Sequence, residues 1–181
     1  RDFALAQWKL ASLYQKCVKR EMWTEKGWQT FDFFGQLGIR AFAAERVSVR
    51  FTWALATNPA SEVRVTYTVE EGGIVTVALD YQKVDGLPEL PDFAMVFTLA
   101  ESYDHLTYYG LGPAENYWDR QSGAKLGIWQ STTRAEVQPY LRPQETGNHG
   151  GVRWIRVTDA RGRGLQLSGS PMEVSALPYS C

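Results

Sequence analysis

Apolar and polar positions alternate with a period of two through most of this chain. Val47, Val49, Phe51, Trp53 and Leu55 stand on one side of a run, with Ser48, Arg50, Thr52 and Ala54 between them. Successive strand side chains point to opposite faces, so the run predicts a half-buried strand with its apolar face in a core. Val63, Val65, Tyr67 and Val69 repeat the pattern against Glu62, Arg64, Thr66, Thr68 and Glu70. Glu71-Gly72-Gly73 follows, and then Val75, Val77, Leu79 and Tyr81 alternate with Thr76, Ala78, Asp80 and Gln82. Glycines accept the positive φ of a tight reversal, so this stretch predicts a long hairpin. Met95, Phe97 and Leu99 alternate after the Pro- and Gly-containing loop 85–91, and Leu106 and Tyr108 lead into a Gly-Pro turn. Residues 152–158 and 165–168 predict a further hairpin around Ala160-Arg161-Gly162-Arg163-Gly164. At the start the period changes: Leu5, Trp8 and Ala11 or Ser12 lie at helical spacing, with Asp2 placed to cap a short helix.

Recurrent strands, turns rich in Gly and Pro and scarce helical periodicity argue for an antiparallel all-β sandwich. The 181 residues suit one domain, 1–181. No internal repeat, low-complexity segment or linker is visible, and 147–151 reads as a tight glycine loop. The chain opens RDFALAQWK with no initiator Met and reads as a piece of something longer.

Composition narrows the function classes. A net charge of −1 gives no electrostatic case for nucleic acid or an anionic membrane. No apolar run reaches membrane-spanning length, and no signal peptide is visible. Only Cys17 and Cys181 occur, which is not a disulfide scaffold. Aromatics make up 13% of the chain, a supply that suits core packing first and sugar faces second.

Candidate chemistry gathers in YYGLGPAENYWDR, residues 108–120, and RPQETGN, residues 142–148. A Gly-Pro turn there delivers Glu115, Asn116, Tyr117, Asp119 and Arg120 together. Two histidines, His105 and His149, are too few for a zinc cluster. No nucleophile elbow or phosphate-cradling glycine motif is present. Carboxylate chemistry remains, since glycoside hydrolysis needs two carboxyl groups flanking the bond. Glu115, Asp119 and Glu145 are its candidates. Each has a structural reading that is favoured: Glu115 and Asp119 tied to Arg120, and Glu145 paired with Arg142. Asn116 and Asn148 read as turn formers. Trp118 and Trp129 read as packing beneath the turn, His149 as an exposed loop residue, and His105 as a surface residue at a strand start.

The first run resembles a signature of the C-terminal small-chain domain of family-two β-galactosidases. Gly110, Gly112, Pro113, Glu115, Asn116, Tyr117, Asp119 and Arg120 match its pattern. Pro139, Tyr140, Arg142, Pro143, Gln144, Glu145, Gly147, Asn148, Arg153 and Trp154 fit a second segment, and Trp8-Lys9 resembles the start of the domain. LPELPDFAMVFTL is similar to a family loop but carries Asp92 and Ala94 where the family has Arg and Gly, so that Arg has no counterpart here. The resemblance implies an all-β, antiparallel β-supersandwich, galactose-mutarotase-like and truncated at both ends. It implies no catalytic residue in this chain, the catalytic Glu pair lying in a barrel domain. Glu115, Asn116, Tyr117, Arg142, Glu145 and Asn148 are the substrate-binding candidates. No metal ligand or cofactor is expected here, with magnesium and sodium assigned to the barrel of the parent. The implied partners are a β-galactoside bound through the parent enzyme, other domains of the same polypeptide and further copies in a homo-oligomer. The implied compartment is the bacterial cytoplasm ahead of the periplasm.

Two other readings stand beside it. One is a carbohydrate-binding module, from Trp118, Trp129 and Trp154 near the polar turn. The other is an aldose mutarotase or epimerase using His105, His149 and Glu145, whose setting does not match the mutarotase motifs.

Overall fold

In the computed structural model the described residues are 2–31, 45–142 and 144–179, with side chains from Ala6 onward. The helical spacing near the start gives α1, Asp2–Leu13. The alternating runs give β1 Lys16–Thr24, β2 Gly27–Thr30, β3 Arg46–Leu55, β4 Ser61–Glu70, β5 Val75–Tyr81, β6 His105–Gly112, β7 Lys125–Thr132, β8 Asn148–Thr158 and β9 Gly164–Ser175. All described pairings are antiparallel, in one sheet ordered β2-β1-β3-β4-β5 and another ordered β7-β6-β8-β9. The expected all-β, antiparallel class therefore holds. The chain divides into two compact units, Arg1–Ala94 and Met95–Cys181, each with one sheet.

In the first unit, α1 buries Trp8 and Ala11 and leaves Ser12 exposed. The Trp8 ring meets Tyr81 edge-on with centroids 6.0 Å apart, and its Nε1 donates to the Glu89 carbonyl at 3.1 Å. The hairpin around Glu71-Gly72-Gly73 forms in the expected register, Val69 opposite Val75, with φ of 87° at Gly72 and 81° at Gly73. Those angles are open to glycine at no steric cost. The apolar side of β3 is half-buried as expected, but the opposite side is covered as well. Thr52 and Thr68 are buried there, and the Ser48 and Thr68 hydroxyls bond at 2.8 Å. Buried Glu21 on β1 accepts two bonds from Arg50 and meets Lys19 at 2.9 Å, while the Arg50 guanidinium lies 4.2 Å from the Trp28 ring.

In the second unit, the core is Leu106, Tyr108, Val152, Ile155 and Val157. Tyr108 is 1% exposed and Val152 0%, placing β6 and β8 at the centre. Two expectations are corrected here. Residues 95–99 form no strand, and Val96 is 88% exposed. Alternation marks a face, but a strand also needs a neighbouring backbone to pair with. Residues 148–151, expected within a loop, are the first residues of β8. Just beyond them β8 crosses β6 closely at a glycine: a Cβ on Gly110 of β6 would lie 2.7 Å from Val152 Cγ2 and 2.9 Å from Val152 Cα. The β8–β9 register shifts between His149 and Val152, with φ of 62° at Gly151, so the strand bulges at this point. Cys181 and Pro143 lie outside the described residues.

Candidate functional site

β6 ends at Gly112 and hands the chain to Pro113 through a cis peptide. A side chain at Gly112 would collide with the Tyr108 hydroxyl at 2.6 Å and the Trp129 ring at 2.7 Å, so only glycine permits this packing. The Tyr108 hydroxyl donates to the Pro113 carbonyl at 3.2 Å or engages His149 Nδ1 at 3.0 Å. Trp129 Nε1 donates to the Gly110 carbonyl at 3.3 Å. The turn is thus bound to its strand from below.

Asn116 joins this turn to β8. Its Nδ2 donates to the carbonyls of Leu111 at 3.0 Å and Ala114 at 3.2 Å, and its Oδ1 accepts from Gly150 N at 3.0 Å. Its backbone N–H donates to the Asn148 carbonyl at 2.8 Å, and its carbonyl accepts from Asn148 Nδ2 at 2.8 Å. At 2% exposure the side-chain amide has both donors engaged within the protein and an acceptor bond besides.

Glu115 is the hub next to it. Oε1 accepts from Arg120 Nη2 at 2.6 Å and from the Tyr140 hydroxyl, which itself accepts from Arg120 Nη2 at 2.6 Å. Oε2 accepts from Gly147 N at 2.7 Å and faces the Thr146 hydroxyl at 3.4 Å. The Thr146 hydroxyl lies nearer the Glu136 carbonyl, at 3.1 Å, and accepts from Gln138 N at 2.8 Å. Arg120 lies over the rings of Tyr117, at 4.7 Å, and Tyr140, at 5.6 Å. The expected Glu115–Arg120 ion pair is present. The Tyr117 hydroxyl is buried near the Asn148 backbone without a hydrogen bond of ordinary geometry. Burial, and next the Glu115 charge, push its phenol up.

Behind the turn lies a buried chain that the sequence did not reveal. His149 stacks on Tyr108 with ring centroids 4.3 Å apart, and its Nε2 lies 2.7 Å from Glu136 Oε2. All three residues are buried, which corrects the expected exposure of His149. For Glu136, burial pushes upward, but the His149 hydrogen bond, the neighbouring Ser131 hydroxyl and the His149 charge hold it below the ordinary carboxylate value. For Tyr108, burial and then Glu136 push the phenol far up, so it stays a neutral hydrogen-bonding group. Asp159, also missed, ties the β8–β9 turn by accepting from Arg161 N and Arg163 N, each at 2.9 Å, and from the Arg163 guanidinium at 2.8 Å.

Of the six substrate-binding candidates, Glu115, Asn116, Tyr117 and Asn148 come together. Arg142 and Glu145 are exposed and make no side-chain bond among the described residues, so their expected mutual pair is not formed. Asp119 is likewise exposed without a side-chain bond among them, unlike the expected tie to Arg120. Trp118 is 80% exposed and does not pack beneath the turn, whereas Trp129 packs against the core. Tyr108 pairs with Trp129 and the next residue, Tyr109, with Trp154, so these two Trp occupy opposite faces of the sheet and cannot share one sugar platform. His105 begins β6 at the surface and meets Asp104 at 2.7 Å. Among the described residues no three His, Cys, Asp or Glu groups converge as metal ligands, and no helix is long and apolar enough to cross a membrane.

Comparison with known proteins gives one family. A family profile described as beta galactosidase small chain matches residues 2–181. A β-galactosidase of Priestia megaterium is 44% identical over 124 residues, covering 68% of this chain and 12% of that protein. The β-galactosidase BgaC of Bifidobacterium adolescentis is 34% identical over 184 residues, covering 98% of this chain and 16% of that protein. A β-galactosidase small subunit of Latilactobacillus sakei is 31% identical over 149 residues, covering 76% of this chain and 46% of that subunit. The chain therefore spans a small fraction of the length of the first two relatives. These matches lend no support to a carbohydrate-binding module or a mutarotase. With a match across residues 2–181 and the Glu115–Arg120 turn in place, this chain belongs to the β-galactosidase small-chain family.

Proposed function

We propose that this chain is the non-catalytic small-chain portion of a retaining β-galactosidase. The parent cleaves terminal β-galactosides by attack of one carboxylate on the anomeric carbon, with a second carboxyl protonating the leaving oxygen. Water then releases the galactosyl-enzyme intermediate. Such groups must be free to reach the sugar. The observation that carries the reading is that Glu115, the central carboxylate of the motif, has both oxygens engaged by protein donors. A carboxylate so held, with its charge paired to Arg120 and both oxygens bonded within the chain, braces a turn.

In this reading Glu115, Asn116 and Asn148 hold the turn. Any sugar contact from the candidate set falls to Arg142 and Glu145, which are exposed and make no side-chain bond among the described residues, since the Tyr117 hydroxyl is buried. Magnesium and sodium, where the parent uses them, belong to its barrel portion. The test compares the 181-residue chain with the full-length protein on a chromogenic β-galactoside. Turnover only by the full-length protein is expected. Turnover by the chain alone would sink the non-catalytic role, and an inactive full-length protein would sink the galactosidase reading.

A further inference from the structure

Two large apolar side chains stand out from the most rigid part of the motif. Trp118 is 80% exposed and Leu141 103%. Each follows a tyrosine, Tyr117 or Tyr140, whose ring lies against the same Arg120 guanidinium. The base beneath them is fixed. Tyr117 and Arg120 exchange backbone bonds at 2.9 and 3.5 Å, and Arg120 is held by both Glu115 and the Tyr140 hydroxyl. Trp118 and Leu141 therefore project outward from a hydrogen-bonded support.

Large side chains held outward in this way, beside Tyr and Arg, are the residue types that carry binding energy at interfaces, and a rigid support reduces the ordering cost of docking. Asp119, Arg142 and Glu145 flank them in sequence, exposed and without side-chain partners among the described residues, as charged groups at an interface rim are. The occupant follows from length. This chain covers 12% and 16% of the relatives in Priestia and Bifidobacterium, so most of the surrounding protein lies outside the structure.

We propose that Trp118 and Leu141 anchor the surface by which this chain docks on the rest of its own β-galactosidase, entering an apolar recess with a rim of mixed charge. The proposal rests on the small-chain reading.

The test uses the full-length protein carrying Leu141→Cys, a change at a position fully exposed in this chain and so expected to cost its fold little. Maleimide labelling of that cysteine is read by peptide mass spectrometry in the native protein and again in urea. Protection of at least about tenfold in the native state is expected, because a docked side chain is reached only through local opening. Native labelling as fast as in urea would overturn the proposal. A photo-cross-linking amino acid at position 141 then identifies the occupant. A cross-link to a segment outside the small-chain region supports the proposal, while one to a second copy of residues 1–181, or none, overturns it. Galactosidase activity of the same samples keeps the family reading separate, since a labelled but active protein refutes the docking alone.

Discussion

His149 Nε2 lies 2.7 Å from Glu136 Oε2 with both side chains buried, so β8 is bound at its start to the segment that follows β7. Tyr108 closes the same chain from β6 at 3.0 Å. The bond sets where the Gly147–Asn148 backbone stands, and that backbone is what Glu115 and Asn116 hold.

Removing His149 leaves the buried Glu136 carboxylate without its imidazole partner, with the Ser131 hydroxyl still beside it. His149→Ala is expected to destabilise the protein by about 3–5 kcal/mol, the usual cost of stranding one member of a buried pair. Replacing both, with His149→Leu and Glu136→Met, is expected to recover much of the loss. Urea unfolding followed by circular dichroism measures both. A cost below about 1 kcal/mol for His149→Ala would mean that the pair holds nothing in place.

Acid should weaken the fold through three carboxylates. Glu136 is held below its ordinary value as described. Glu21 is held low first by the Lys19 hydrogen bond, against burial, with Arg50 assisting. Asp159 is held low first by the Arg163 backbone N–H, against burial, with the Arg163 side chain and Arg161 N–H assisting. Groups depressed in the folded state contribute stability that is present above the ordinary values of 4.5 and 3.8 and is lost as pH falls through the folded ones. The urea midpoint should hold steady as the pH is lowered from about 6 to about 5 and fall toward about pH 3. Glu136→Gln should start lower and fall less steeply; an unchanged acid slope in that variant would remove Glu136 from the account.

Asn116 tests the join between turn and strand. Asn116→Ala loses three side-chain bonds and should cost about 2–3 kcal/mol at roughly 1 kcal/mol each. Asn116→Asp keeps the acceptor for Gly150 N but sets a carboxylate oxygen against the Leu111 and Ala114 carbonyls, so it should be the worse of the two. Thermal melting ranks them, and Asp outperforming Ala would contradict this geometry.

Gly110→Ala forces a Cβ to within 2.9 Å of the Val152 backbone, which cannot turn aside as a rotamer would. A loss of about 1–3 kcal/mol is expected from overpacking, read by urea unfolding. Adding Val152→Ala should fail to restore stability fully, because the clash with the main chain of residue 152 persists. Gly123→Ala, with nothing within 4 Å, is the matched control and should be nearly neutral.

Glu115→Gln places an amide N–H against either the Arg120 guanidinium or Gly147 N, both of which can only donate. A loss of about 1–3 kcal/mol is expected from the unsatisfied groups. Asp119→Asn, four residues on and exposed, should stay within about 0.5 kcal/mol. Equal effects of the two variants on the thermal midpoint would place the hub elsewhere.

The alternating runs at 47–55, 63–69 and 75–81 were legible because strand periodicity and glycine turns are local properties of the chain. The Glu115–Arg120 pair was legible because both partners belong to one short turn. His149 was misjudged because its partners, Tyr108 and Glu136, lie 41 and 13 residues away and no spacing connects them.

What the sequence by itself determined was the all-β class, the hairpin turns and the family to which the motif belongs. Tertiary structure alone decided that 95–99 forms no strand, that the glycines of 148–151 enter one, that His149 is buried and that Trp118 faces outward. The physical reason is range. A face or a turn follows from the steric preferences of neighbouring residues, whereas pairing and burial depend on which distant backbone comes near. Here Gly110 settles that question for β8 by having no side chain to keep Val152 away.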